Sequence, residues 1–285
     1  MRRDLLAGLG DSRQPVTSVP RTSVGGVTDS SRAIDPARGV LFPDRLPRFT
    51  RMPPPAEASG LVSWFWIPQW DLPDGVETRQ PILGYPAANL AVEPDGVTLW
   101  GSTTRASERV LTGSGWAVGA LLRPAALSRL ASSPSALVDT FAALDAGEMH
   151  AAVVAAMPDV DAATLVVASW LVHRAGPPSA EGRLANDMAD LLMTDPGVLR
   201  VEDAAEQLRV SVRTLQRLAH RTVGLSPAAM IRRRRLQEAA QRVREDAGVL
   251  LADVAAELGY ADQAHLANDF RTVLGFTPSE YRAAT

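Results

Sequence analysis

Residues 251–278 read LADVAAELGYADQAHLANDFRTVLGFTP. Leu251, Val254, Ala255 and Leu258 recur at helical spacing, which puts four apolar side chains on one helix face. The stripe stops at Gly259, a residue type that takes positive φ without steric penalty and so ends helices. Asp262 then offers an N-cap, and Leu266, Phe270 and Val273 begin a second stripe. The segment closes on Gly-Phe-Thr-Pro. Thr277 to Glu280 combine a capping box with proline at the first position of another helix.

The same pattern occurs once more upstream. Val201, Ala204, Ala205 and Leu208 match Leu251, Val254, Ala255 and Leu258 at one constant shift. Past the turn the shift grows by one residue. Ser211 then matches Asp262, Leu215 matches Leu266, Ala219 matches Phe270, Gly224 matches Gly275 and Pro227 matches Pro278. The extra residue lies in the second turn, beside Gly259. Each copy is helix, short turn, helix, closed by Gly-x-Ser/Thr-Pro. That is the helix-turn-helix plan, whose second helix enters the DNA major groove. A duplicated hairpin in an ordinary helical bundle is the competing reading. The charge distribution argues against it: formal net charge is -3, yet from Arg209 to Arg244 ten arginines face a single acid, Glu238.

Residues 183–284 resemble the DNA-binding domain of the AraC/XylS family of transcription regulators. The likeness runs through RTLQRLAHRTVGLSPAAMIRRRRLQEA and LADVAAELGYADQAHLANDFRTVLGFTPSEYR. It implies two helix-turn-helix units bridged by one long helix, about Pro227 to Glu245. It also implies double-stranded promoter DNA and RNA polymerase as partners, and action as an activator. In the first unit Val212, Leu215, Ala219 and Val223 should face the core, leaving Arg213, Gln216 and Arg217 outward. Arg bonds guanine bidentately and Gln does so with adenine; the resemblance puts base reading on the same three residues. Ser211 and Arg221 suit phosphate contact. In the second unit Gln263, Ala264, Ala267 and Asn268 should face the groove, with Gln263 and Asn268 as base readers and His265 and Arg271 toward phosphate. Many relatives have Arg where this chain has Asn268, and Asp269 adds a negative charge to this helix, so this half-site should be read loosely. In the run Arg232 to Arg235, four successive residues spread over about 300° of helix circumference. Arg235 is expected to brace the two units, one or two of the others to touch phosphate, and the rest to be solvated.

The N-terminal half has another texture. LVSWFWIPQW, NLAVE, VTLWGS and WAVGALL are short, aromatic or β-branched, and separated by Pro, Gly and Asp. The expected fold is therefore α+β: a small cupin-like β-barrel with packed helices, followed by the all-α domain. We expect a disordered leader at 1–33, a sensor or dimerisation domain at 34–173, a linker at 174–182 that keeps the two cores separate, and the DNA-binding domain at 183–285. Trp64, Trp66, Trp100 and Trp116 either fill the barrel core or line a pocket for a small apolar or cationic effector, with Glu93 as polar anchor. A third reading makes this half a homodimerisation or polymerase-contact module. Leu165, Val166, Ala168, Trp170 and Leu171 are then its pairing surface.

Some chemistries drop out. The chain has no cysteine, which removes disulfides, thiolate zinc sites and cysteine nucleophiles. Its four histidines, His150, His173, His220 and His265, lie outside the proposed barrel, so no His-based metal site forms there. No catalytic residue, metal or cofactor is expected, and the chain is not read as an enzyme. No apolar run approaches the roughly 20 residues of a membrane span, and MRRDLLAGLGDSRQP lacks the apolar core of a secretory signal, so the expected location is the cytoplasm.

Overall fold

Alternation in VSWFWIPQWD makes the long strand β2 (Val62–Asp71) of the N-terminal half. The computed structural model describes residue 41 and residues 48–284, so the leader expected at 1–33 lies outside the described residues. The other strands are β1 (Arg48–Met52), β3 (Glu77–Ile82), β4 (Asn89–Glu93), β5 (Gly96–Trp100), β6 (Ser107–Thr112), β7 (Ser114–Trp116), β8 (Val118–Leu122) and β9 (Phe141–Ala143). One antiparallel sheet runs β1-β2-β8-β4-β5-β9, with β7 also on β2, while β3 and β6 pair in a second, two-stranded sheet. Pro94 and Asp95 turn β4 into β5, with Glu93 opposite Gly96. Because side chains alternate, Phe65, Ile67, Leu90, Val92, Leu99, Val118 and Ala120 form one buried face.

That face is covered by α1 (Pro124–Leu130), α2 (Gly147–Ala156) and α3 (Val160–Ala175). The side of α3 carrying Ala163, Val167, Ala168 and Leu171 is buried in this core, with Val166 and Trp170 packed against it. Of the five residues expected to form a pairing surface, only Leu165 is exposed, at 55%. The other four pack within their own half, because a helix lying on a sheet has few positions left for solvent.

The C-terminal half holds α4 (Ala180–Thr194), α5 (Val201–Gln207), α6 (Val212–Thr222), α7 (Pro227–Glu245), α8 (Leu251–Glu257), α9 (Gln263–Leu274) and α10 (Pro278–Ala284). The caps form as the repeat requires. Ser211 Oγ accepts from Thr214 N at 3.1 Å, and Asp262 Oδ1 accepts from His265 N at 2.7 Å. Gly259 takes φ +72° in the second turn, and Arg209 takes φ +54° at the matching place in the first. A side chain in this left-handed region costs about 1–2 kcal/mol, partly offset by the greater freedom glycine has when unfolded. Arg209→Gly is therefore expected to raise stability by about 0.5–1 kcal/mol in urea denaturation.

The last helix is opened by Thr277 and Glu280. The Glu280 carboxylate accepts from Thr277 N at 2.6 Å and from its hydroxyl at 2.9 Å, which holds the Glu280 pKa below the usual carboxylate value. A carboxyl depressed in the folded state binds protons more readily when unfolded. Its contribution is thus present at neutral pH and fades as pH falls from the ordinary carboxylate range through the folded value. Glu280→Gln should remove that component, seen as a flatter acid limb in thermal midpoint against pH.

The expected linker is short and capped, and it does not separate the cores. After Ala175 the chain turns at Gly176 (φ +66°), and Ser179 caps α4 by accepting from Gly182 N at 3.1 Å. Buried Asn186 of α4 accepts from Ala125 N at 3.1 Å and donates to the Gly60 carbonyl at 2.9 Å. Leu83 and Leu41 are buried in the core of the second helix-turn-helix unit, while Tyr85 and Val138 pack against that of the first. So short a connection keeps apolar loop residues of the N-terminal half within reach of unfilled helical surface, and they bury there. Among the described residues, no helix is long and apolar enough to cross a membrane.

Candidate nucleic-acid interface

Helix α6 presents two unlike faces. Leu215, Leu218, Ala219 and Thr222 are buried. Arg213, Gln216, Arg217, His220 and Arg221 line one open depression of about 400 Å³, and all five are exposed. The three expected base readers thus stand together on the surface. Arg221 reaches back to Glu181 at 2.5 Å. Both side chains are more than half exposed, so the pair is worth at most about 1 kcal/mol and exchanges readily for a phosphate. The Ser211 hydroxyl is engaged in capping and also meets Thr214 Oγ1 at 2.8 Å. His220 lines the same depression, although it was not among the expected DNA contacts. Its signal was available: it lies three residues after Arg217 and four after Gln216, on the same face.

Helix α9 buries Leu266, Phe270, Val273 and Leu274. Gln263, Ala264, His265, Asn268 and Arg271 are exposed, and Ala267 is half-buried. The Asn268 backbone carbonyl accepts from Thr272 Oγ1 at 2.7 Å. His265 meets the ring of Tyr260 edge-on at 5.2 Å.

Asp269 corrects an expectation. Its carboxylate is gripped by Arg232 of α7 through Nε at 2.8 Å and Nη2 at 2.6 Å. The acid lies about 100° around the helix from Asn268 and its charge is matched by a planar fork, so it does not repel DNA as a free carboxylate would. Burial of Tyr260, with Asp269 close by, pushes its phenol above the ordinary range and keeps it protonated.

The arginine run also differs from expectation. Arg233 and Arg234 are buried, at 4% and 0% exposure, and Arg232 is paired with Asp269. Arg234 donates to the Val198 carbonyl at 2.7 Å, just ahead of α5 in the first unit. The Arg235 guanidinium lies 3.8 Å from the ring centroid of Tyr260, between α8 and α9 of the second unit. The bracing thus falls to Arg234 on one unit and Arg235 on the other. Phosphate contact and solvation do not describe Arg233 and Arg234, which are buried, while the Arg232 side chain stays 41% exposed beside Asp269.

In that half, Trp64, Trp66, Trp100 and Glu93 share the sheet face opposite the helix-backed core. Trp116 does not: it pairs with Gln69 in β7 and packs against the helix-backed core. Trp66 Nε1 donates to Asn89 Oδ1 at 2.9 Å, Trp64 meets Tyr85 edge-on at 4.6 Å, and the Arg51 guanidinium sits 5.3 Å from the Trp64 ring. Trp100 packs on Phe141 at 4.6 Å, and Glu93 is ion-paired with Arg109. Among the described residues no group of three acidic or histidine side chains is placed to hold a metal ion.

Residues 204–284 match a family described as "Helix-turn-helix domain", and residues 50–141 match "Domain of unknown function (DUF6597)". A "Putative AraC-like transcription regulator" of Streptomyces lividans is 37% identical over 82 residues, which are 29% of this chain and 27% of that protein. An "Uncharacterized HTH-type transcriptional regulator" of Haemophilus influenzae is 29% identical over 100 residues, 35% of this chain and 33% of that one. The chain therefore spans a third or less of the length of these curated relatives. Among solved structures, ToxT from Vibrio cholerae aligns over 77% of this chain and 98% of its own at 12% identity, with a TM-score of 0.41. The C-terminal domain of AraT, a response regulator from Geobacillus stearothermophilus, aligns over 38% of this chain and 89% of its own at 21% identity, with a TM-score of 0.34. Residues 204–284 thus form a helix-turn-helix domain, duplicated around α7 and similar to that of an AraC-like transcription regulator.

Proposed function

We propose that this chain is a transcription regulator that binds duplex DNA in a sequence-specific manner. The supporting observation is the depression on α6, where Arg213, Gln216, Arg217, His220 and Arg221 converge, with Glu181 on Arg221 as a neighbouring acid. Arg213, Gln216 and Arg217 read base edges in one major groove, with Arg221 and the helix end at Ser211 on phosphate. On α9, Gln263 and Asn268 read the second groove, and His265 and Arg271 meet phosphate. Two such units in one chain reach successive major grooves, roughly 34 Å apart, without a second copy.

The N-terminal half controls this activity. Of the two routes, a contact module fits the packing better than an effector pocket. The Trp66 ring occupies the space over Gly119, and that of Trp70 the space over Gly115. Aromatic surface that would hold an effector is therefore used internally. In this reading the half acts through pairing of two copies or through RNA polymerase at an activated promoter.

Selection of duplexes from a random pool by the full chain tests the central claim. We expect an enriched sequence whose affinity falls steeply with salt, because neutralised phosphates release counterions. Equal affinity for the selected and scrambled duplexes at moderate salt would end it. Thermal-shift screening with tryptophan fluorescence separates the two routes: quenching by a saturating small molecule would favour the effector.

A further inference from the structure

Two loops of the N-terminal half each touch both helix-turn-helix units. The first joins β3 to β4. Its Leu83 side chain is buried in the second unit's core, and its Tyr85 packs against the first unit's core. Between them, the carbonyls of Leu83 and Gly84 accept from Gln237 Nε2 at 3.3 Å and Arg233 Nη1 at 3.1 Å, both on α7. The second loop joins β5 to β6. Ser102 Oγ donates to the Val223 carbonyl at 3.0 Å, at the C-terminal end of recognition helix α6. Four residues on, Ala106 N donates to the Val273 carbonyl at 2.7 Å, in the last turn of recognition helix α9. Midway, the Thr103 carbonyl accepts from Arg233 Nη2 at 2.7 Å.

The last carbonyls of a helix have no partner within it. Here one short loop supplies a partner at the end of each recognition helix. Asp139 keeps that loop in shape: it accepts from Thr104 N at 2.7 Å and from Thr104 Oγ1 at 2.6 Å, and its own N donates to the Ser102 carbonyl at 3.0 Å. Arg233 is the centre of the assembly, a buried cation bonded to a carbonyl from each loop. Burial lowers its pKa to about 10, with the Asp139 charge opposing that shift, so it remains protonated at neutral pH.

We propose that these two loops form a clip that fixes the distance and angle between the two recognition helices, with Arg233 as its positioning residue. The N-terminal half then regulates DNA binding by setting helix spacing, and not by covering the α6 face, whose readers are exposed. This consequence rests on the DNA-binding function proposed above, whereas the clip itself does not.

The chain has no cysteine, so a pair of introduced cysteines is labelled uniquely. Glu206→Cys and Ala256→Cys place spin labels at exposed, matching positions of α5 and α8 in the full chain. We expect one narrow distance distribution without further change, a width that roughly doubles with Arg233→Gln, and clear broadening with Ser102→Ala. Phe65→Leu, buried in the β half away from the clip, controls for lost stability and should leave the width unchanged. If Arg233→Gln does not fold, Ser102→Ala, which deletes one hydroxyl, decides the matter. An unchanged width in the folded variants overturns the clip. Binding to duplexes with one base pair inserted between half-sites reads the consequence. The native chain should reject them and the loosened variants accept them about equally with the original. Chains that bind no specific duplex yet broaden as described would refute the DNA-binding function and leave the clip standing.

Discussion

Replacing Arg217 by alanine is expected to weaken binding of the full chain to its selected duplex by about 1–3 kcal/mol, roughly 5- to 150-fold, and to relax base preference at one position. The expectation rests on geometry and on charge. Arg217 stands on the exposed face of α6 beside Arg213, Gln216 and His220, in a depression lined entirely by that helix. A bidentate fork on a guanine edge is lost outright on truncation, because alanine offers neither the donors nor a path for another side chain to replace them. Gln216→Ala should cost a similar amount and relax an adjacent position. Asn268→Ala should cost less. The α9 surface carries Ala264 and Ala267 where α6 carries charged or amide side chains. Its acid, Asp269, is held by Arg232 and does not add repulsion, so the asymmetry between half-sites comes from missing donors alone. Competition binding over a salt series checks this: Arg217→Ala should lower affinity for the selected site far more than for scrambled duplex. If both fall equally, Arg217 is a phosphate contact. If Asn268→Ala is as damaging as Arg217→Ala, the half-sites are read alike.

The double helix-turn-helix was legible because its determinants are local. Ser211 and Asp262 cap residues only three positions away, and the apolar stripes recur within single helices. The exposed face of α6 follows from the same stripe by subtraction. What could not be read depended on partners far along the chain. Asp269 looked like a free charge because Arg232 lies 37 residues away on another helix. Arg233 and Arg234 were left to phosphate or solvent because helix circumference alone cannot show that their side of α7 is enclosed. In the β half, alternation correctly put Trp64 and Trp66 on one face. Trp116 follows the core-filling alternative, and alternation alone could not place it, because its face depends on pairing with Gln69 and a one-residue difference in register reverses a strand's sides. Leu83, Ser102 and Thr103 gave no signal at all: they sit in loops whose composition resembles that of any other turn.

Gly119→Ala is expected to destabilise the chain by about 1.5–5 kcal/mol, with Trp66 as the cause. Gly119 lies in β8 opposite Trp66 on one side and Ala91 on the other, and the indole fills the space over it. A Cβ there would stand 1.9 Å from Cε2, 2.2 Å from Cζ2 and 2.4 Å from Cδ2 of Trp66, well inside contact distance. These atoms belong to a rigid ring system, so no single torsion at the tip relieves the clash. The ring must swing as a whole, and its Nε1 is tied to Asn89 Oδ1 at 2.9 Å. Breaking that bond costs about 1 kcal/mol, and an off-rotamer indole about 0.5–1.5 kcal/mol more. Overpacking of the neighbouring strands adds about 1–3 kcal/mol, while the lower chain entropy of alanine when unfolded offsets about 0.4–1 kcal/mol. A double-mutant cycle separates this mechanism from a general intolerance of side chains in β8. With Trp66→Leu already in place, the flat ring is gone, and Gly119→Ala should cost less than about 1 kcal/mol in chemical denaturation. An equal cost in both backgrounds would show that Gly119 is needed for its backbone and not for the ring above it. A reduced cost would show that Trp66 fills the space over Gly119.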